Sequence, residues 1–182
     1  MKKSDLHALC EGAIMVALAT ALGYLKLFEL PQGGSVGIGM LPILLFCSRW
    51  GWKQSFLVSF ACGLLQLLFD GAFALGPLSM LLDYLLAYGV LGAACFFRGG
   101  RIRFCLGIFA ACFLRFLMHF ISGVTVFRIF APTELFGTLI ANPYLYSALY
   151  SGSYVLLDAI LCAALFLLLY KPLERFFAGI DK

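Results

Sequence analysis

Charge is scarce in this chain: 12% of its 182 residues are charged, against roughly 25% in a soluble domain. With 63% hydrophobic residues and a mean hydropathy of +1.01, a water-soluble core is excluded. Histidine is nearly absent. His7 and His119 are the only two, so no multi-histidine metal site can be assembled, and no metal is expected. The seven cysteines stand singly, without a C-x-x-C pair, which excludes a clustered zinc site or a disulfide framework and leaves them as small apolar packers. No G-x-x-x-x-G-K-[ST] loop occurs, so the chain does not hydrolyse ATP by that route. G-x-S-x-G and H-E-x-x-H are missing too, and with no cofactor motif the expectation is a protein that is not an enzyme. The net charge of +4 does not form a nucleic-acid face, because the bases punctuate the ends of apolar runs.

Those runs dominate the sequence. A bilayer crossing takes roughly 20 apolar residues at 1.5 Å rise each. Six segments qualify, at about 8–27, 36–49, 54–71, 77–97, 103–127 and 145–170, the second being short and preceded by a glycine-rich turn. The expectation is an all-α membrane protein of six transmembrane helices in a single domain, 1–182. Lys2 and Lys3 with Ala17-Leu18-Ala19 imitate a secretion signal, but five further spans favour a retained first helix. With the N-terminus inside, Lys2, Lys3, Arg49, Lys53, Arg98, Arg101, Arg103, Lys171, Arg175 and Lys182 face the cytoplasm. Lys26 and Arg128 face outside, and Arg115 lies within a span. That positive-inside bias puts both termini in the cytoplasm. The longest loop, Arg128 to Pro143, is then outside, as a lid or as a plain connector.

Ionisable residues within the spans are the informative exceptions, since a charge at that depth costs on the order of 3 kcal/mol. Counting from the outer helix ends puts Asp83 roughly 9 Å deep, His119 roughly 12 Å and Ser151 roughly 9 Å, with Tyr146 near the surface. Tyr84 adjoins Asp83, and Phe127 closes the outer end of span five. One shallow layer therefore collects polar and aromatic groups from several segments, the form of a concave ligand site. A carboxylate among aromatic rings suits a cation. The structural alternatives are an arginine partner for Asp83 and a satisfied core histidine for His119. Arg115 and Asp158 count to roughly 18–21 Å on spans five and six, and are expected to form a buried ion pair. Ala13, Ala17 and Ala21 form a small-residue stripe on the first helix, suited either to packing within the bundle or to docking another membrane protein.

Longer motifs narrow the reading. Pro31-Gln32-Gly33-Gly34-Ser35-Val36-Gly37-Ile38 leads into Met40-Leu41-Pro42-Ile43. Leu82-Asp83-Tyr84, Leu114-Arg115-Phe116, His119-Phe120-Ile121-Ser122-Gly123, Tyr146-Ser147 and Tyr150-Ser151-Gly152 follow. In order and spacing these resemble the thiamine-specific substrate-binding (S) components of energy-coupling factor (ECF) vitamin transporters, over nearly the whole chain. The resemblance implies an S-component-like bundle that captures thiamine from outside. It also implies a transmembrane coupling (T) protein and two cytosolic ATPases as partners. By the same resemblance Asp83 meets the cationic ligand, His119 and Phe127 stack on it, and Tyr84, Tyr146 and Ser151 make polar contacts. The alanine stripe becomes the docking surface. Phe127 stands where some members have tryptophan, Ser151 where asparagine is common, and Asp83 where some have glutamate. The same architecture for another vitamin or a thiamine precursor, and a stand-alone proton-coupled carrier using Asp83, His119 and Asp158 as a relay, remain the alternatives.

Overall fold

In the computed structural model, residues 3–30, 33–70, 76–125, 133–135, 137–173 and 176 are described. Long apolar runs fold as helices because every backbone N–H and C=O is then satisfied within the segment, which hydrocarbon demands. The helices are α1 (Lys3–Gly23), α2 (Leu41–Arg49), α3 (Trp52–Asp70), α4 (Pro77–Phe97), α5 (Arg101–Thr125) and α6 (Pro143–Tyr170). Two short antiparallel hairpins complete the described elements, β1 (Lys26–Glu29) with β2 (Ser35–Gly37) and β3 (Thr133–Leu135) with β4 (Thr138–Ile140). Five of the described helices are long and apolar enough to cross a bilayer. Large apolar side chains such as Ile14, Leu68, Ile102 and Leu168 point outward, as a surface solvated by lipid requires.

The second crossing departs from the expected helix over 36–49. At nine residues α2 is about 14 Å long, half of a hydrocarbon core of about 30 Å. Residues 35–37, which lead towards it, are strand. Pro42, in the first turn, suits a helix start there. The first helix also ends earlier than expected, at Gly23, and residues 26–29 turn back as β1. Gly33, at φ 88°, makes the reversal between the two strands. Strand β2 pairs with β1 through Glu29–Ser35 and Phe28–Val36.

α2 is the centre of the bundle: Ile43, Leu44, Phe46 and Cys47 are wholly buried. α4 is wound irregularly, π-helical over Met80–Leu86 and 3-10 over Val90–Phe97. Asp83 sits in the π stretch, a winding frequent at functional sites. α3 and α4 approach closely at Gly63, where a Cβ would lie 2.7 Å from the Tyr84 carbonyl oxygen. Asn142 caps α6 by accepting from the Tyr144 and Leu145 amides.

The alternating helix directions gather Arg49, Lys53, Arg98, Arg101, Arg103 and Lys171 at one end. There Arg98 donates to the Arg49 carbonyl and Arg101 to that of Leu167, while Arg49 meets Glu11 at 3.1 Å. The β1–β2 hairpin lies at the opposite end, with the start of α4 and α6 and the close of α5.

Candidate functional site

Asp83 is the hub of that opposite end. Its Oδ1 is 3.0 Å from His119 Nδ1, and its Oδ2 accepts from Ser79 Oγ at 2.8 Å and from Ser122 Oγ. The four side chains come from α4 and α5, and the side chain of Asp83 stays 18% exposed. An ionised carboxylate only accepts, so Nδ1 carries the hydrogen, and a neutral His119 then presents Nε2 as an acceptor. That nitrogen is buried without a hydrogen-bond partner. Among the described residues no arginine partners Asp83; serines and a histidine hold it instead.

These groups open onto a cavity of about 120 Å³. Asp83, Tyr84, His119, Tyr146 and Ser151 all line it, so five residues expected at a site surround one space. Phe127, the sixth, lies outside the described residues. The aromatic wall comes from α6, where Tyr146, Tyr150 and Tyr154 recur every four residues and so share one helix face. Tyr146 stacks on Tyr150 with centroids 5.8 Å apart, and Tyr154 meets both Tyr150 and His119 edge-on. The sequence names Tyr146 as a ligand contact and Tyr150 only within a motif; the four-residue tyrosine spacing is the signal for Tyr150 and Tyr154.

Arg115 and Asp158 require a correction. They do not form the expected ion pair. The Arg115 guanidinium lies 4.4 Å over the Tyr88 ring, whereas Asp158 Oδ1 accepts the Gly37 backbone N–H at 2.9 Å. Arg115 is 8% exposed, lines the cavity, and has Nε and Nη1 without hydrogen-bond partners. Gln66 of α3, also on the cavity, is buried with Nε2 unpartnered. An amide buried in an apolar span was the sequence signal for Gln66. The cavity thus joins a carboxylate and an aromatic wall to several unsatisfied donors, which suits a ligand with a cationic part and a hydrogen-bond-accepting part.

The hairpin supplies the remaining wall. Gly33, Gly34 and Ser35 face the cavity, and the Gly34 amide donates to Tyr150 Oη at 2.9 Å. A Cβ at Gly34 would stand 2.8 Å from that oxygen and 2.9 Å from the Tyr154 ring, so glycine is required for the approach. Far from the cavity in sequence, Ala13, Ala17 and Ala21 are exposed on α1, while Gly12, Val16 and Ala19 face inward. The stripe is therefore free of the bundle's own packing. Among the described residues no group of three metal-ligating side chains occurs.

Residues 9–178 match the family model described as Thiamine transporter protein (Thia_YuaJ). The chain is 33% identical to the thiamine transporter ThiT of Bacillus subtilis (strain 168), over 96% of this chain and 95% of that one. It is 28% identical to ThiT of Lacticaseibacillus paracasei, over 86% and 83%. Among solved structures it resembles ThiT from Listeria monocytogenes, with a TM-score of 0.84 at 21% identity, covering 96% of this chain and 99% of that one. The S component of a bacterial ECF transporter matches with a TM-score of 0.68 at 16% identity, at the same coverage. The last two likenesses concern the fold.

Proposed function

The chain belongs to the thiamine transporter protein family, and from that premise we propose that it is the thiamine-binding S component of an ATP-driven ECF transporter in the bacterial plasma membrane. The observation that carries the reading is the Asp83 carboxylate, held by three donors at the edge of a tyrosine-walled cavity. Thiamine brings a fixed positive charge on its thiazolium ring and hydrogen-bonding nitrogens on its aminopyrimidine. The charge suits Asp83 and the aromatic faces; the pyrimidine nitrogens suit the unpartnered donors of Arg115 and Gln66 and the Nε2 of His119.

In this reading the basic end of the bundle is cytoplasmic by the positive-inside rule, both termini are inside, and the cavity opens outward. Energy comes from partner chains, a transmembrane coupling protein and two cytosolic ATPases. The exposed alanine stripe, Ala13, Ala17 and Ala21, offers those partners a surface without bulky side chains. The protein binds and does not turn over its ligand. Ser122, the hydroxyl nearest in sequence to His119, gives its hydrogen bond to Asp83 and so helps to hold that carboxylate in place.

Isothermal titration of the purified protein with thiamine, pyrithiamine and the isolated pyrimidine precursor tests the proposal. Tight thiamine binding, with the precursor much weaker, is expected. No thiamine binding alongside tight binding of another vitamin would sink it. A proton-coupled carrier would draw on the Asp83–His119 contact, but its third relay group, Asp158, is engaged by the backbone of Gly37. Uptake that survives loss of the ATPases would favour that alternative.

A further inference from the structure

Asp158 is 4% exposed, lies within a membrane-spanning helix, and is not a wall of the cavity. Its hydrogen bond goes to the Gly37 amide. Eight residues earlier on the same helix, Tyr150 Oη accepts from the Gly34 amide. The spacings agree: eight helical residues rise about 12 Å, and three extended residues span about 10 Å. Strand β2 therefore runs alongside α6 and is pinned to it at both ends.

The strand needs those pins. Extended backbone beside a membrane helix has polar groups with no water to satisfy them, and it is tolerated only where protein supplies partners. On one edge β2 is paired with β1. Beyond that pairing, the amides of Gly34 and Gly37 donate to Tyr150 and Asp158 of α6. A charged acceptor gives the stronger kind of hydrogen bond, and Asp158 stands at the deeper of the two positions, about 22 Å along α6 from Pro143.

We propose that Asp158 is a positioning residue for the binding cavity: its carboxylate fixes the inner end of β2 on α6, so that Gly33, Gly34 and Ser35 stand as one wall of the cavity. Asp158 acts through the backbone and does not touch the ligand. Loosening the inner pin frees the hairpin to leave α6, and a bound ligand escapes faster. The kinetic part of the inference rests on thiamine being the ligand; the structural part does not.

The test uses the full-length protein in lipid nanodiscs and two variants, Asp158→Asn and Asp158→Leu. Asparagine keeps an acceptor for the Gly37 amide, and leucine removes it at similar volume. Hydrogen exchange across residues 35–38 is followed without ligand, and thiamine dissociation by stopped-flow fluorescence. Wild type and Asp158→Asn are expected to protect the Gly37 amide and to release thiamine at similar rates. Asp158→Leu should speed both exchange and release by about tenfold or more, the cost of leaving one buried amide without its acceptor. If Asp158→Leu does not fold, Asp158→Ser, too short to reach, is read in the same way. Unprotected exchange of Gly37 in wild type would overturn the proposal, as would equal release rates in the Asn and Leu variants. Failure of wild type to bind thiamine would remove the ligand assignment while leaving the exchange experiment decisive for the pin.

Discussion

Replacing Asp83 by asparagine removes one negative charge and almost no volume, so it isolates the electrostatic part of ligand binding. A thiazolium centre about 5 Å from the carboxylate, at an effective dielectric constant of about 20, is attracted by about 3 kcal/mol. That corresponds to roughly a hundredfold in Kd. The substitution also disturbs the hub. Oδ2 accepts from both Ser79 and Ser122 and Oδ1 meets His119 Nδ1, and an amide cannot accept at both positions. At least one of these donors loses its acceptor whichever way the side chain turns, His119 in one orientation and both serines in the other, which adds about 1 kcal/mol or more of local destabilisation.

The two contributions separate by choice of ligand. Calorimetric titration of wild type and Asp83→Asn with thiamine and with an uncharged carbon analogue of its thiazolium gives four affinities. Thiamine should lose about a hundredfold and the neutral analogue much less, since only the reorganisation affects it. Equal losses for the two ligands would show that Asp83 shapes the cavity without acting as its counter-charge. Unchanged thiamine affinity would refute both roles.

Gly34→Ala puts a methyl group 2.8 Å from Tyr150 Oη and 2.9 Å from the Tyr154 ring, so the hairpin must shift. Thiamine affinity should fall by at least about tenfold, by the usual cost of overpacking, and wild-type affinity by titration would show that the wall yields. Ala17→Leu adds bulk on the exposed face of α1. Thiamine binding to the isolated protein should be unchanged while uptake by cells carrying the coupling partners drops severalfold; normal uptake would remove this face as the docking surface. Glu11→Gln weakens the partner of Arg49, 3.1 Å away at the basic end. Both side chains are partly exposed, so the loss should be about 1 kcal/mol, seen as a lower melting temperature with thiamine affinity intact.

Most of the fold was legible because hydrocarbon allows few solutions. Apolar runs of the right length must be helices, and α3, α4, α5 and α6 lie close to the expected spans. The binding side chains were partly legible for the same reason: a polar residue deep in such a run needs a partner, and depth counting put Asp83, Tyr146, His119 and Ser151 in one layer. The π-helical turn around Asp83 was not legible. It is a run of i→i+5 bonding, which no local propensity encodes.

The Arg115–Asp158 pair shows where depth counting fails. Equal depth on neighbouring helices is necessary for contact, but facing is set by rotation about each axis, and a residue's demand for a partner does not say which partner. Asp158 found a backbone amide because residues 35–37 are strand where a helix was expected. In a helix beginning at 36 the Gly37 N–H would also lack an intrahelical partner, but it would point along the helix axis and not sideways at α6. Arg115 was then left to the face of Tyr88 and to the cavity, with two nitrogens unpaired. The two errors, an overlong second helix and a misassigned ion pair, meet at the Gly37 amide. The strand before α2 turns the Gly37 amide towards α6, Asp158 accepts from it, and Arg115 lines the ligand's side of the bundle.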